Sequence, residues 1–418
     1  MKKKLAIIGS GISAMTCAHY LRNDYEISIF DKNDYLGGHT HTHQFEDNGR
    51  KFTIDTGFIV FNLHTYGSLL KLFSELGVEK QKSSMSFAVY NQKTGLQYSG
   101  SSLLHLFSQP KNLLSPKYWK FLFEINKFFK MALEERESIR GSEETISQYC
   151  ERKKLSHYFL DNYLAPMSSA VWSTPHHSAY DLPISLIIPF FYNHGLLGVN
   201  RQFQWYTVKG GSNEYTKKIV DQGNFNIYLK EAALKVKETI NGVQLITEKG
   251  SYDFDYVILA SHSDESLKLA TELSSEKRQL LEKFSYSSNR AVLHTDISVM
   301  PTIRNAWASW NHIINRENGQ SSTVYWMNEL QHPNTKTNYF VSINPFQEID
   351  KKKIVKELIY DHPLFTVENF ALQKILPELN KDTRIFFAGA YFGYGFHEDG
   401  IKAGLQVVDI LKNNKLSK

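Results

Sequence analysis

The chain has 418 residues, 42% of them hydrophobic, and a formal net charge of +5 at pH 7; the length suits two or three domains, and so small a charge, with no zinc spacing or RNA-binding signature, gives no ground for nucleic-acid binding. Two cysteines, Cys17 and Cys150, make neither a disulfide framework nor a metal-ligand pattern and fit a reducing compartment, so a cytoplasmic protein is expected. No run of about 18 apolar residues occurs, so no transmembrane helix is expected, while 27 Phe, 23 Tyr and 6 Trp favour a large pocket for an apolar or planar ligand.

Residues 4–31 read KLAIIGSGISAMTCAHYLRNDYEISIFD. The apolar run Leu5 to Ile8 predicts a strand, a glycine turn follows at Gly9 and Gly11, a helical pattern starts at Ile12, and a second apolar run ends at Asp31. Gly9 permits the tight turn and Gly11 lets the backbone approach a pyrophosphate. Ala14 is small enough for the helix to pack on its strand, and Asp31 can accept hydrogen bonds from ribose hydroxyls. A glycine string after a strand, opening a helix and meeting an acid about 20 residues on, is a dinucleotide-binding βαβ unit. The stretch also matches the outline of a secretory signal. Glycines and serines interrupt its apolar centre, however, and the strand ending at Asp31 needs the first strand beside it.

Gly37 and Gly38 come next, with no side chain to block a phosphate, followed by HTHTH and then Asp55, Thr56 and Gly57. A second glycine pair soon after the ribose-binding acid resembles the pattern of FAD enzymes in the amine oxidase, phytoene desaturase and protoporphyrinogen oxidase superfamily. Those proteins usually follow the pair with Arg; this chain has His39. More closely, LGGHTHT, DTGFIVFN, NRAVLHTD at 289–296, AWASWN and AGAYFGYGFHEDG are similar to a bacterial family of predicted NAD/FAD-binding oxidoreductases. Its members are often encoded beside cyclopropane fatty acid synthase-like methyltransferases.

The resemblance runs from the first residues to 404 and implies an α/β fold. An FAD-binding Rossmann-like domain of the glutathione reductase type, amine oxidase subgroup, would use residues 1–85, 207–275 and 375–418. An α+β substrate domain, 86–206 and 276–374, would be interleaved with it. The same resemblance implies cofactor contacts along Ile12, Ser13 and Lys32, along Thr40, Thr56, Gly57, Phe58 and Ile59, and at Gly389. It places the Ala233 backbone at the adenine edge and Ala260 near the dinucleotide, and it suggests a methyltransferase partner. His39, His41 and His43 would share one face of a strand and could hold zinc. Directly after the glycine pair, His39 more naturally meets the FAD phosphates or ribityl chain, so no metal is expected.

Further along, residues 113–133 place Phe121, Leu122, Ile125, Phe128, Phe129 and Ala132 at helical spacing, with Lys120, Glu124 and Lys127 between them. Such a basic amphipathic helix either lies on an anionic membrane, at its inner face, or packs on its own domain with the lysines in water. LPISLIIPFFYNHGLLG at 182–198 and the group Trp307, Trp310, Tyr325 and Trp326 either line a lipid-sized cavity or form ordinary core. TVKGGSNEY at 207–215 reads as the return to the first domain. Residues 226–236, 243–247 and 252–261 read as an antiparallel meander and a final parallel strand, and 384–389 as the last strand.

In AGAYFGYGFHEDGIKAG, residues 388–404, Gly393, Gly395 and Gly400 permit close backbone approach, and Asp399 can cap a helix starting near Gly400. The free N–H groups of that helix start suit the negative charge of a reduced flavin ring. The resemblance sets Gly400 and Ile401 against its pyrimidine end through their backbones. FAD accepts a hydride itself, so the protein must supply orientation, a dry pocket and one proton acceptor. Tyr391, Tyr394, His397 and Glu398 are the expected catalytic side chains, His397 either as a base near neutral pH or as a structural hydrogen-bond partner. Neither cysteine lies in the ring segments, so FAD is expected to be noncovalent. The expected activity is FAD-dependent hydride removal from an apolar substrate, an unsaturated or modified fatty acyl chain. The alternatives are an amine oxidase with Tyr391 and Tyr394 flanking the ring, and an FAD-containing accessory protein of a fatty-acid methyltransferase.

Overall fold

A computed structural model describes residues 2–47, 49–198 and 203–416. Strand β1 (Lys3–Ile8) runs through the glycine turn into helix α1 (Ile12–Leu21) and on to β2 (Tyr25–Asp31). All five strands of the resulting sheet are parallel, in the order 225–229, β2, β1, 256–259, 385–387. Parallel strands buried on both faces need apolar residues at every position, which is how Leu5 to Ile8 reads. Leu5 and Ile7 face one layer with α1, and Ala6 and Ile8 face the other with Val236, Leu245 and Phe254. Each of these leucine, isoleucine, valine and phenylalanine side chains contributes roughly 1.5–3 kcal/mol by leaving water.

The run at 226–236 divides where the sequence suggests one strand. Lys230 takes φ 50°, a left-handed conformation, and its N–H bonds the Asn33 carbonyl at 2.8 Å. Residues 225–229 therefore edge the parallel sheet, and the antiparallel meander comprises Ala233–Glu238, Val243–Thr247 and Ser251–Phe254.

A seven-stranded sheet forms the other half, in the order 354–363, 286–294, 340–343, 321–326, 310–314, 87–91, 96–99. Its pairings are antiparallel except that between 310–314 and 87–91. Helices between Pro116 and Asn193 pack over it around Phe121, Phe128, Tyr149, Phe159 and Phe191. A small antiparallel sheet joins the two halves, strand Trp205–Val208 pairing with 61–62 and 80–83.

The helix Pro116–Glu135 has three faces rather than two. Phe121, Phe128 and Ala132 are core, Leu122, Ile125 and Phe129 face a cavity, and Trp119 and Phe123 are exposed. Glu124, which lies between the apolar positions, is buried and accepts hydrogen bonds from the N–H and hydroxyl of Ser156. Among the described residues no helix is long and apolar enough to cross a membrane.

Candidate active site

The carboxyl ends of the parallel strands open onto one cavity of about 1180 Å³, the crevice where doubly wound sheets bind ligands. That exceeds the roughly 300–1,000 Å³ typical of single small ligands, leaving room for a dinucleotide and a substrate together.

The two glycine turns meet at one end. Gly9 takes φ 93°, and a Cβ there would lie 2.8 Å from the Ala260 carbonyl oxygen. Gly38 sits over Gly11, where an added Cβ would come within 3.2 Å of the Gly11 Cα. The Ser10 hydroxyl links the turns by donating to Asp31 while accepting the Gly37 N–H at 3.0 Å. Asp31 takes the Asn33 N–H on its other oxygen and remains on the cavity wall, within reach of a ribose. Ile12, Ser13 and Lys32 also line this end, as do Ala233, Ala260 and Gly389. Lys32 forms an ion pair with Glu265 at 2.5 Å.

Thr56, Gly57, Phe58 and Ile59 continue the wall. Gly57 is required by chain crossing, since a Cβ there would stand 2.1 Å from the His39 carbonyl oxygen, which accepts the Phe58 N–H at 2.7 Å. His39 itself lines the cavity, and its buried Nε2 has no hydrogen-bond partner among the described residues. Its ring centroid lies 5.4 Å from His362 and 6.1 Å from His262. Burial first, and then these neighbouring imidazoles, hold His39 well below the usual histidine range. Burial likewise brings His362 down to about 4. An uncharged His39 with an open Nε2 can hydrogen-bond a ligand but offers it no positive charge, unlike the usual Arg. His41 and His43 are occupied elsewhere, His41 with the Tyr360 hydroxyl at 3.1 Å and His43 with Thr56 at 3.0 Å.

The last helix departs from expectation. It begins at His397, not near Gly400, and Asp399 is therefore in its first turn, accepting the Phe396 N–H at 3.0 Å. The Gly400 N–H bonds the Phe396 carbonyl at 3.0 Å, and Ile401 is fully buried. Neither residue lines the cavity, nor does Asp399. Gly400 serves packing: a Cβ there would lie 2.7 Å from Ile12 Cγ2 and 3.0 Å from Ser13 Oγ of α1. Ala14 is fully buried between helix and sheet and is also absent from the wall.

Glu398 faces away from the cavity as well. Its two carboxylate oxygens accept the N–H groups of Ser68 and Leu69, each at 3.0 Å, capping helix Gly67–Leu76. The carboxylate thus caps a helix and does not line the cavity. His397 does line the cavity; its ring stacks on Phe58 at 3.7 Å, with Nε2 3.0 Å from Thr40 Oγ1 and 3.4 Å from the Tyr215 hydroxyl. Thr40 and Tyr215 bond each other behind it, and Thr40 does not itself line the cavity. Burial pushes the His397 imidazole down to about 3, so the ring is uncharged near neutral pH. Tyr391 and Tyr394 both border the cavity but belong to different apolar clusters, the first against Phe284 and the second against Phe190 and Phe370.

Beyond this point the wall is largely apolar, with uncharged polar groups such as Ser86, Ser173 and His194 among it. Leu106, Leu122, Phe129, Met167 and Phe190 contribute to it, together with Trp310 and Tyr325. Trp307 and Trp326 do not; they enclose the Arg304 guanidinium at 3.7 and 4.4 Å. His262 and His362 escaped the sequence reading. His262 follows the strand end at Leu259, a position that sheet topology marks for ligand contact, whereas nothing local singles out His362.

Glycine turns at the strand ends, an acid on β2 and a second apolar chamber define a dinucleotide-binding α/β protein of the flavoprotein class. A family model described as flavin containing amine oxidoreductase matches residues 12–361, and the chain belongs to that family. A 1-hydroxycarotenoid 3,4-desaturase of Flavobacterium sp. (strain P99-3) is 28% identical over 228 residues, 51% of this chain and 40% of the desaturase. The match therefore spans less than half of that relative. Cyclohexylamine oxidase from Brevibacterium oxydans IH-35A has the same fold over 100% of both chains, with TM-score 0.71 and 16% identity. A fatty acid isomerase from P. acnes, described as producing CLA, covers 98% of both, with TM-score 0.67 and 11% identity.

Proposed function

We propose that this chain is an FAD-dependent oxidoreductase that holds FAD noncovalently and removes hydride from an apolar substrate, an unsaturated or modified fatty acyl chain. One observation carries the substrate class. From Val60 to Phe129 and from Tyr163 to Trp205, no Asp, Glu, Lys or Arg lines the cavity among the described residues. A cationic amine would enter that chamber without a carboxylate to replace its water, at a cost of several kcal/mol; a hydrocarbon chain gains from the same surroundings. The name of one relative, a 1-hydroxycarotenoid 3,4-desaturase, supports this reading, since its substrate too is largely apolar.

The glycine turns and Asp31 would hold the pyrophosphate and ribose, with the open Nε2 of His39 as a further contact. Bound FAD would supply the hydride acceptor. Noncovalent attachment is favoured because neither Cys17 nor Cys150 lines the cavity. His397, backed by Thr40 and Tyr215, orients what lies against it and can pass a proton but not retain one near neutral pH. Anaerobic bleaching of the flavin by unsaturated or cyclopropane acyl phospholipids, but not by simple amines, is the expected result. Peroxide release with amines would favour the amine oxidase instead. A flavin reduced by neither, in a protein that copurifies with a methyltransferase, would indicate an accessory role.

A further inference from the structure

The apolar chamber does not close over its contents. Ser101, Ser102, Leu103 and Asn126 line it and are also exposed, so the cavity has a mouth between the short helix Leu103–Leu106 and the helix Pro116–Glu135. The rim is unusual in composition. Of fourteen large apolar side chains left exposed among the described residues, six fall between 103 and 123: Leu103, Leu104, Leu113, Leu114, Trp119 and Phe123. Leu114 is 89% exposed, Leu103 77% and Phe123 67%. Scattered apolar residues are ordinary on a surface, but a contiguous group marks an interaction site.

These six residues belong to one local structure. The Tyr118 hydroxyl donates to the Leu106 carbonyl at 2.6 Å, the Trp119 indole N–H donates to the Leu113 carbonyl at 2.8 Å, and the Phe107 and Trp119 rings lie 5.3 Å apart. Phe123 is one helical turn from Trp119 and shares its face. Charge is equally one-sided. Residues 100–123 contain Lys111, Lys117 and Lys120, all exposed, and no Asp or Glu. A protein partner would meet this surface with acidic side chains and shape; leucines and a tryptophan ringed by lysines, around the entrance to a hydrocarbon-compatible chamber, match a fluid anionic surface better.

We propose that this rim seats on the surface of an anionic phospholipid bilayer, with the cavity mouth opening into the leaflet. The inference extends the acyl-chain reading by naming where the substrate is drawn from, but docking itself is measured without any substrate.

The test is sedimentation of the FAD-loaded protein with vesicles of phosphatidylcholine and phosphatidylglycerol in equal parts, compared with phosphatidylcholine alone. Binding is expected to the anionic vesicles, reduced by added salt, and about tenfold weaker in the double variant Leu114→Glu, Phe123→Glu and in Lys117→Gln, Lys120→Gln. The altered side chains are exposed, so an unchanged flavin spectrum and melting temperature verify that the variants fold. Brominated acyl chains are expected to quench fluorescence in wild type more than in Trp119→Phe. Absence of binding to anionic vesicles, or equal binding by wild type and both variants, overturns the proposal. So does loss of self-association in the glutamate variant without a change in vesicle binding, which would assign the rim to a second copy of the chain. Vesicle binding by a protein whose flavin no acyl lipid reduces supports docking and overturns the acyl reading; flavin reduction by a dispersed acyl lipid without vesicle binding does the reverse.

Discussion

His397 and Glu398 are adjacent in sequence and opposite in use. His397 borders the cavity against Phe58, whereas Glu398 spends both carboxylate oxygens on Ser68 and Leu69. Glu398→Gln should cost about 1 kcal/mol of stability through the weakened cap, lowering the melting temperature while leaving the rate of flavin reduction within about twofold. A catalytic carboxylate would lose at least 10²-fold, so stopped-flow reduction separates the two. For His397 the expectation reverses: His397→Asn should retain stability better than rate, slowing reduction about tenfold and shifting the flavin absorbance. With the imidazole held down to about 3 by burial, wild type and variant should share one pH profile between about pH 5 and 9. A wild-type inflection that disappears in the variant would restore His397 as a base. Gly57→Ala should be severe, because the new methyl group would meet the His39 carbonyl oxygen, a backbone atom, at 2.1 Å. A loss of about 1–3 kcal/mol together with impaired FAD retention, read from the absorbance ratio of purified protein, is expected.

At the scale of elements, the βαβ unit was legible because its determinants are local: strand, turn, helix and acid follow one another within 28 residues, 4–31. The start of the last helix was not, because Asp399 could cap a helix before or after itself, and the choice depends on Gly393, where a Cβ would crowd the Asp399 carboxylate at 2.3 Å. The approach of His39, His262 and His362 was illegible for a related reason. It depends on strand pairing between 286–294 and 354–363, which no sequence spacing encodes. Glycine patterns proved legible but ambiguous: Gly9 and Gly38 serve the crevice, while Gly400 and Gly404 let the last helix settle on α1. Gly404→Ala would place a methyl group 2.8 Å from the Ser13 carbonyl oxygen. It should destabilise by about 1–3 kcal/mol, measured as a lower urea midpoint, with the substrate chamber unaffected.

Across the whole molecule, buried histidines govern the response to acid. Burial holds His41, His176, His194, His294 and His362 at about 4, and His43 and His397 at about 3. The unfolded chain takes up these protons near pH 6.5, before the folded one can, so stability present above about 6.5 is lost as pH falls toward 4. Asp55 and Asp399 oppose this: burial raises each to about 6, so the folded chain protonates them first and their contribution grows over the same interval. Seven groups outweigh two, and the urea midpoint of the FAD-loaded protein should fall steadily between about pH 6.5 and 4. A flat or rising midpoint would contradict the burial of these imidazoles.

The order of the parallel sheet also sets a timetable. Its central strand is made first, but the outer strand Ile385–Phe387 and the helix that covers α1 are made after the seven-stranded sheet has been threaded between them. At about 5–20 residues per second, the glycine turn waits for tens of seconds beside a ribosome before its crevice has walls. The crevice is therefore a late product of synthesis: among the described elements, its last strand and the helix over α1 follow the whole seven-stranded sheet in chain order.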